Sequence, residues 1–528
     1  MSNLTGESGE VTADTELYVQ WFHRIEGNLM PDMLVPLGPE GLEFRIPLDE
    51  RYHSAQRAGA LWIDLFVPES AVKGLYRGEL SGTANGEGFS FGVELRVYRS
   101  AVPNESLLIA DLNNYADNIS PSYPHLADNP ERYRDGSYLE VEREFYRMSR
   151  EHRCVFQNLN YLHSGVPVES FAPELEGSGK NIRVKSWEAF DNHFGPYLDG
   201  SAFEGSRRGP MPIEFHFTPF NLGWPAAYEK WGEKGFKTEY RRILWEYMRH
   251  FEEKGWTKTV LEIMLNHKKE YRFYPSTQDE IWYEHDEEIV DYMYDVIKDT
   301  VEHSAAKFVF RADSSNHYGN HFDSKYADIF GMWVAAMTMY SWFPESVLEM
   351  RNRGNILWIY GWYGEGMTID LPLHSFLTQP MICFMTGATG FCLFWNAVGW
   401  GDDYLTTPFV NAGQSLFYPG TEFGGEQVLP SIRLKVLRNQ MQLADLMMTA
   451  DGLDIETATP LRSDLEQAVN EAFGYGSNKD WWNEKPPFLD TPPRYWDYGD
   501  EVYKRNHYEG RSPGLIGELR RKVLRILG

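Results

Sequence analysis

The chain is 528 residues long and carries 50 Lys and Arg against 77 Asp and Glu, a formal charge of −27 at pH 7. That excess argues against nucleic acid and an anionic membrane as partners, since both need basic surface. The length exceeds the roughly 250–300 residues at which a single core stops growing, so one large domain plus a smaller one is expected.

The amino terminus, MSNLTGESGEVTADTE, lacks the charged and apolar regions of a signal peptide. The longest apolar run, Met381 to Trp395, falls short of the ~20 residues of a membrane span, so a soluble, cytoplasmic protein is expected. Cys154, Cys383 and Cys392 lie in apolar runs without metal-ligand spacing and read as buried free thiols. Aromatic residues make up 15% of the chain, a composition that suits carbohydrate binding as well as a large core.

Residues 15 to 104 read as all-β: LYVQWF, LEFRIPL, GALWIDLFVPE, GLYRGELSGTANG and FSFGVELRVYR are short β-rich runs separated by Gly, Pro and Asn turns. A β-sandwich accessory domain over residues 1–104 follows. From Leu107 strands and helices alternate. SLLIADLNNY, VFQNLNYLH, PIEFHFTPFN, KTVLEIMLNH, AKFVFRADSS, YADIFGMW, NILWIYGWY and GFCLFWNAV are strand candidates, with helices expected at Tyr138–His152, Glu239–Gly255, Asp286–Ser304 and Glu345–Arg353. This α/β alternation fits a (β/α)8 TIM-like barrel over residues 105–450 better than an open sheet.

In such a barrel the chemistry sits at the carboxyl ends of the strands. Those ends are polar here. Asn113, His163, His216, Asn266, His267, Lys268, Arg311, Asp313, Tyr360 and Asn396 are candidate hydroxyl contacts, and Trp362, Trp395 and Trp400 candidate stacking platforms for a sugar-sized ligand. Arg311 and Asp313 read first as a structural ion pair and second as contacts for sugar hydroxyls. The segment Asn355 to Arg438 organises this half of the chain: strand NILWIYGWY, a helix in LPLHSFLTQPMICFMTG, then strand ATGFCLFWNAVGW.

Several of these stretches carry a resemblance. ALWIDLFVPE followed by GLYRGELS, the NILWIYGWY and FCLFWNAVGW strands, and LFYPGTEFGGEQVLPSIRLKVLRNQMQLADLM look like the glycoside hydrolases of family 123 and the barrel proteins sharing their carboxyl-terminal domain. The "YPG … SIR … LR" signature is Tyr418-Pro419-Gly420, Ser431-Ile432-Arg433 and Leu437-Arg438 here. The resemblance covers nearly the whole chain. It implies a retaining β-N-acetylgalactosaminidase-like mechanism, in which a Glu protonates the leaving oxygen and the adjacent Asp steadies the substrate's own acetamido group as it attacks the anomeric carbon. Substrate-assisted enzymes of this kind depart from the two-carboxylate geometry of most glycosidases.

The matching pair is Asp279 and Glu280, in YPSTQDEIWYEHD. Two departures stand out. Ile281 occupies the place where the family usually has Pro, and NHKKEYRFYPSTQ intervenes between the strand and the pair. The strand VLEIML itself ends in Asn266, His267, Lys268 and Lys269, so at the strand end only His267 could act as an acid. Acidic residues also favour helix N-termini, which is the plain alternative for Asp279-Glu280. Two functional alternatives remain: a hydrolase of another sugar using Asp111, Asp313 or Asp402-Asp403, and a non-catalytic carbohydrate-binding protein on a hydrolase fold.

No nucleophile elbow, P-loop, dinucleotide fingerprint or H-E-x-x-H motif occurs, so neither cofactor nor metal is expected. The expected partner is an oligosaccharide or glycoside substrate; self-association is left open. Residues 451–528 read as an aromatic strap, KDWWNEKPPFLDTPPRYWDY, and an amphipathic helix, LIGELRRKVLRILG, that docks on the barrel.

Overall fold

The structure is a computed structural model. It describes residues 2–25, 27–37, 43–159, 168, 171–217, 235–264, 291, 294–297, 304–314, 330–336, 344–360, 369, 373, 375–392, 397–398, 404–405, 415–423, 425, 427–449, 455–473 and 514–528.

The first hundred residues fold as two antiparallel sheets. One has the strand order β2 (Gly9–Val11), β1 (Leu4–Gly6), β6 (Gly74–Ala84), β7 (Glu87–Val97); the other β4 (Asn28–Pro36), β3 (Asp14–Ile25), β5 (Leu61–Phe66). The β6–β7 hairpin turns on Asn85 and Gly86, both at positive φ, the backbone that an Asn-Gly turn supplies.

The barrel follows. Its strands are β8 (Ile109–Tyr115), β9 (Val155–Leu159), β12 (Phe215–Phe217), β13 (Val260–Met264), β14 (Lys307–Ser314), β15 (Met332–Ala336), β16 (Ile356–Tyr360) and β17 (Gly390–Cys392), in the parallel order β12-β13-β14-β15-β16-β17-β8-β9. Between β9 and β12 the ring is joined by a side chain, with the Phe217 amide donating to Gln157 Oε1 at 3.0 Å. Two small antiparallel pairs complete the sheets, β10 (Glu174–Glu176) with β11 (Arg183–Ser186) and β18 (Phe417–Pro419) with β19 (Val428–Pro430). The fold class is therefore the expected one: a (β/α)8 barrel preceded by a small all-β sandwich domain.

Alternation along the strands sorts the side chains. Ile109, Val155, Phe215, Val309, Met332, Val334, Trp358 and Cys392 cluster inside the barrel, whereas Leu108, Ala110, Leu112, Phe156, Leu261, Phe310 and Trp333 belong to the larger core under the helices. Helices at Ser137–Glu151, Phe236–Lys254, Pro344–Asn352 and Ser375–Thr386 match the expected positions. Most of the helix expected at Asp286–Ser304 lies outside the described residues.

Two differences are informative. The sixth strand, Met332–Ala336, begins in the last two residues of YADIFGMW and runs three residues beyond it, because the buried run Trp333, Val334, Ala335 continues past Trp333. A helix at Glu188–Asp199 is additional to those expected: Pro196 inside it reads as a break, yet Phe190, His193, Phe194, Tyr197 and Leu198 bury one face at helical spacing.

The β domain is fastened to the barrel by buried ions. Asp32 accepts from Arg433 Nη2 at 2.8 Å and from Tyr418 Oη at 2.6 Å, and Arg433 also donates to the Ser415 carbonyl. Asp64 takes Arg438 at 2.8 Å and Lys435 at 2.7 Å. Burial alone would raise the Asp64 carboxyl, but Arg438 and Lys435 hold it well below the usual range. Burial likewise pushes His23, stacked on Tyr418, down to about 4. The terminal helix Leu515–Leu527 buries Leu515, Leu519 and Val523 in the large core, and Ser100 Oγ donates to the Leu527 carbonyl. All three cysteines are free and buried. Among the described residues no helix is long and apolar enough to cross a membrane.

Removing one partner of a buried ion pair strands the other. Asp32→Ala should therefore cost about 3–5 kcal/mol, and the double variant Asp32→Ala/Arg433→Met should recover much of it, as read by urea denaturation. Equal midpoints for wild type and Asp32→Ala would show that the pair does not hold the domains.

Candidate active site

The inward positions in the middle of the barrel are charged. Asp111 comes from β8, Glu262 from β13, Arg311 and Asp313 from β14, and Cys392 from β17. Arg311 is their centre. Its Nη1 donates to Glu262 Oε2 at 2.7 Å, its Nε to Asp313 Oδ1 at 2.8 Å, and its Nη2 to Asp313 Oδ2 at 3.2 Å and Cys392 Sγ at 3.3 Å. Cys392 in turn donates to Asp111 Oδ2 at 3.4 Å, and Arg311 Nη1 lies 3.8 Å from that oxygen.

Parallel register makes this convergence possible. Met264 pairs with Arg311, Tyr360 with Cys392, and Cys392 with Asp111, so the charged residues lie at neighbouring levels of the barrel. Below them is the apolar layer of Ile109, Val155, Phe215, Val309 and Met332. On the β8–β9–β12 side Tyr115, Leu159 and Phe217 form a separate buried cluster. Asp111 and Glu262 are fully enclosed, while the Asp313 side chain, nearer its strand's carboxyl end, keeps 11% of its surface exposed.

Three carboxyls face one guanidinium, and the electrostatics follow from that imbalance. Burial first, then the charge of Glu262, pushes the Asp111 carboxyl well above its ordinary range against the pull of Arg311. Burial also raises Glu262, opposed by Arg311. The Arg311 charge is itself disfavoured by burial, but Asp313, Cys392 and Glu262 hold it on. Burial keeps the Cys392 thiol protonated. Asp111 Oδ1 and Glu262 Oε1 find no hydrogen-bond partner among the described residues.

Of the candidates named from sequence, Arg311 and Asp313 meet as the ion pair, and Asn113 lies one inward step beyond Asp111. The Asn113 carbonyl accepts from the Ala397 amide at 3.0 Å. Tyr360 ends β16, paired with Ala336 and Cys392. His216 does not face the lumen. Its ring packs on Phe194 at 4.7 Å and Phe190 at 6.3 Å under the helices, and burial depresses it to about 3. It is a neutral packing residue there, in place of the expected hydroxyl contact. His163, Asn266, His267, Lys268, Asp279, Glu280, Trp362, Trp395, Asn396 and Trp400 lie outside the described residues.

Sequence reasoning missed Glu262 and the thiol of Cys392. The signal for Glu262 was present: in VLEIM, Val260, Glu262 and Met264 alternate on one face, which places an acid at the middle of that face. Among the described residues no group of His, Cys, Asp and Glu has the arrangement of a metal site.

The fold and the polar lumen define a class: a (β/α)8 barrel with an amino-terminal β domain. Within it, the structure is similar to that of a family 123 glycoside hydrolase from Clostridium perfringens, described in connection with glycolipid glycan hydrolysis, at a TM-score of 0.61 and 13% identity over 99% of this chain and 88% of that one. Weaker likenesses are a Parabacteroides merdae β-glucuronidase with glycerol in its active site (TM-score 0.28, 11% identity, 76% of this chain and 46% of that one) and the apo Bacteroides uniformis β-glucuronidase 3 (0.29, 10%, 83% and 51%). No protein-family model and no curated protein matches the sequence.

The raised Asp111 carboxyl has a sign that can be tested. Its folded pKa lies above the unfolded value of 3.8, so between the two the native state binds the extra proton and stability falls as pH rises. Asp111→Asn removes that dependence. The stability of Asp111→Asn relative to wild type should grow above about pH 4, by up to about 1.4 kcal/mol per pH unit, in denaturation curves taken across pH. Parallel curves would mean that Asp111 is ionised in the fold.

Proposed function

We propose that this protein is a glycoside hydrolase acting on a β-linked, 2-acetamido hexosaminide with substrate-assisted retention. One observation carries the reading: the family 123 fold is matched along 99% of the chain, and the segment leaving β13, the fourth barrel strand in chain order, is the one that contains Asp279 and Glu280. Barrel enzymes draw their catalytic groups from segments following strand ends.

In this mechanism Glu280 gives its proton to the glycosidic oxygen as the bond to the anomeric carbon breaks. The substrate's acetamido oxygen forms the new bond to that carbon, and Asp279 orients the amide and stabilises its developing positive charge. Water, deprotonated by Glu280, then opens the cyclic intermediate with net retention. Asn113 and Asp313 supply polar groups from the barrel, with the enclosed Arg311 orienting Asp313, and Trp362, Trp395 and Trp400 supply the aromatic faces on which a sugar ring stacks. Asp111 and Glu262 are poor acid–base candidates, being fully enclosed and out of reach of a glycosidic oxygen.

Chromogenic β-glycosides with and without a 2-acetamido group provide the test. Hydrolysis should be confined to the acetamido substrates, and Glu280→Gln and Asp279→Asn should each lower kcat by about 10²–10⁴-fold. Activity untouched by either substitution would assign the chemistry to other carboxylates. Turnover of substrates lacking the acetamido group would rule out the substrate-assisted step.

A further inference from the structure

A second polar network lies outside the lumen, between the barrel and its helices, and it ends on the segment that follows β17. Glu142, fully buried on the Ser137–Glu151 helix, accepts from His193 Nε2 at 2.7 Å and Tyr197 Oη at 3.1 Å, both on the Glu188–Asp199 helix. Its other oxygen accepts from Asn158 Nδ2 on β9 at 2.5 Å, and the same amide donates to Tyr138 Oη at 2.7 Å. Asn158 Oδ1 then accepts from Asn114 Nδ2 on β8 at 3.3 Å. Finally Asn114 Oδ1 accepts from the Val398 amide at 3.2 Å.

Each step fixes the next. With its oxygens taken by three donors, Glu142 orients the Asn158 amide; Asn158 and the Tyr115 carbonyl, which accepts from Asn114 Nδ2 at 2.8 Å, together fix which way Asn114 points, and Asn114 presents its oxygen to Val398 and to Asn118 Nδ2. Asn114, Asn158 and Glu142 are all buried, so an amide turned the wrong way would leave polar atoms unmatched. Backbone bonds hold the same short stretch, from the Ala397 amide to the Asn113 carbonyl and from the Leu416 amide to the Ala397 carbonyl. Ala397 and Val398 pack in the large core, and among the described residues Asn114 joins this stretch to the helix layer by a side-chain hydrogen bond.

We infer that Asn114 is a positioning residue for substrate binding, locking Ala397 and Val398 to the carboxyl end of β8 with the support of the Asn158–Glu142–His193 network. The functional half rests on the reading above, because Trp395, Asn396 and Trp400 flank Ala397 and Val398 in the chain. A positioning residue of this kind acts on affinity more than on the chemical step.

Hydrogen exchange and kinetics on the full chain test the two halves separately. In Asn114→Ala, the Val398 amide should exchange about 10–100-fold faster, while the Ser137–Glu151 helix keeps its protection. KM for a chromogenic 2-acetamido β-glycoside should rise about tenfold or more with kcat changed less than about threefold. Asn158→Ala, which leaves Asn114 held by the Tyr115 carbonyl and Asn118 but cut off from Glu142, should shift both readouts in the same direction by less, and it replaces Asn114→Ala if that variant does not fold. Unchanged exchange at Val398, or kcat falling with KM constant, would each overturn the inference. If wild type turns over no acetamido glycoside, the proposed function fails, and the exchange result still decides whether Asn114 holds the segment.

Discussion

The constraint on which the barrel depends is a single guanidinium among three carboxyls. Arg311 is buried on all sides, and removing a charge from water costs several kcal/mol unless hydrogen bonds and opposite charge replace the lost hydration. Glu262, Asp313 and the Cys392 sulfur supply them, and each comes from an inward position on β13, β14 or β17. Those strands are thereby tied across the lumen as well as along the sheet. The same bonds aim Asp313: held through both oxygens by Arg311, it has one orientation, and that places its partly exposed edge at the carboxyl end of β14. An apolar filling of equal volume could be as stable, so the polar layer is better understood through the geometry it imposes than through stability.

A second set of ions explains why the resemblance to family 123 speaks to fold more strongly than to activity. Its most recognisable segment, Tyr418 through Arg438, is the fastening between the β domain and the barrel. Ser431 caps the Ile432–Met448 helix by accepting from the Leu434 amide, Arg433 and Tyr418 close on Asp32, and Arg438 and Lys435 close on Asp64. None of these groups belongs to the lumen cluster. A chain that keeps this segment keeps the placement of one domain on the other, whatever its strand ends do to a substrate. The activity has to be argued from other residues, which is why the Asp279-Glu280 pair carries the functional proposal.

Much of the fold was legible because barrel strands are buried on both faces and read as short apolar runs, and the helices between them show their 3.6-residue period. The site was less so, for a reason seen in β12 and β13. A polar residue at a strand end suggests a lumen contact, yet inside or outside is decided by alternation and not by polarity. In FHF the apolar Phe215 and Phe217 face the lumen and His216 faces the helices; in VLEIM the acid faces the lumen between Val260 and Met264. A strand's polar residue belongs to the site only if its parity matches that of its neighbours across the register. Arg311 and Asp313 satisfied that condition together, because residues two apart on a strand share a face. The Glu188–Asp199 helix was hidden by Pro196, and the sixth strand was displaced because nothing in FGMWVAA marks where the apolar run bends into the sheet.

The enclosed lumen also constrains where catalysis can come from. A general acid must reach the glycosidic oxygen, and it must lose and regain a proton in each turnover. Asp111 fits the second requirement, since burial and Glu262 favour its protonated form, but its surface is closed. Asp313 is the least enclosed of the three, but both of its oxygens already accept from Arg311, so it is held as an acceptor. The charged layer thus supplies orientation and hydrogen bonding without a competent acid. In the proposed mechanism the proton donor therefore comes from a segment that leaves a strand end. The segment after β13 places an Asp and a Glu side by side in sequence, and that adjacency is what the substrate-assisted mechanism uses: one carboxyl for the leaving group and its neighbour for the acetamido nitrogen.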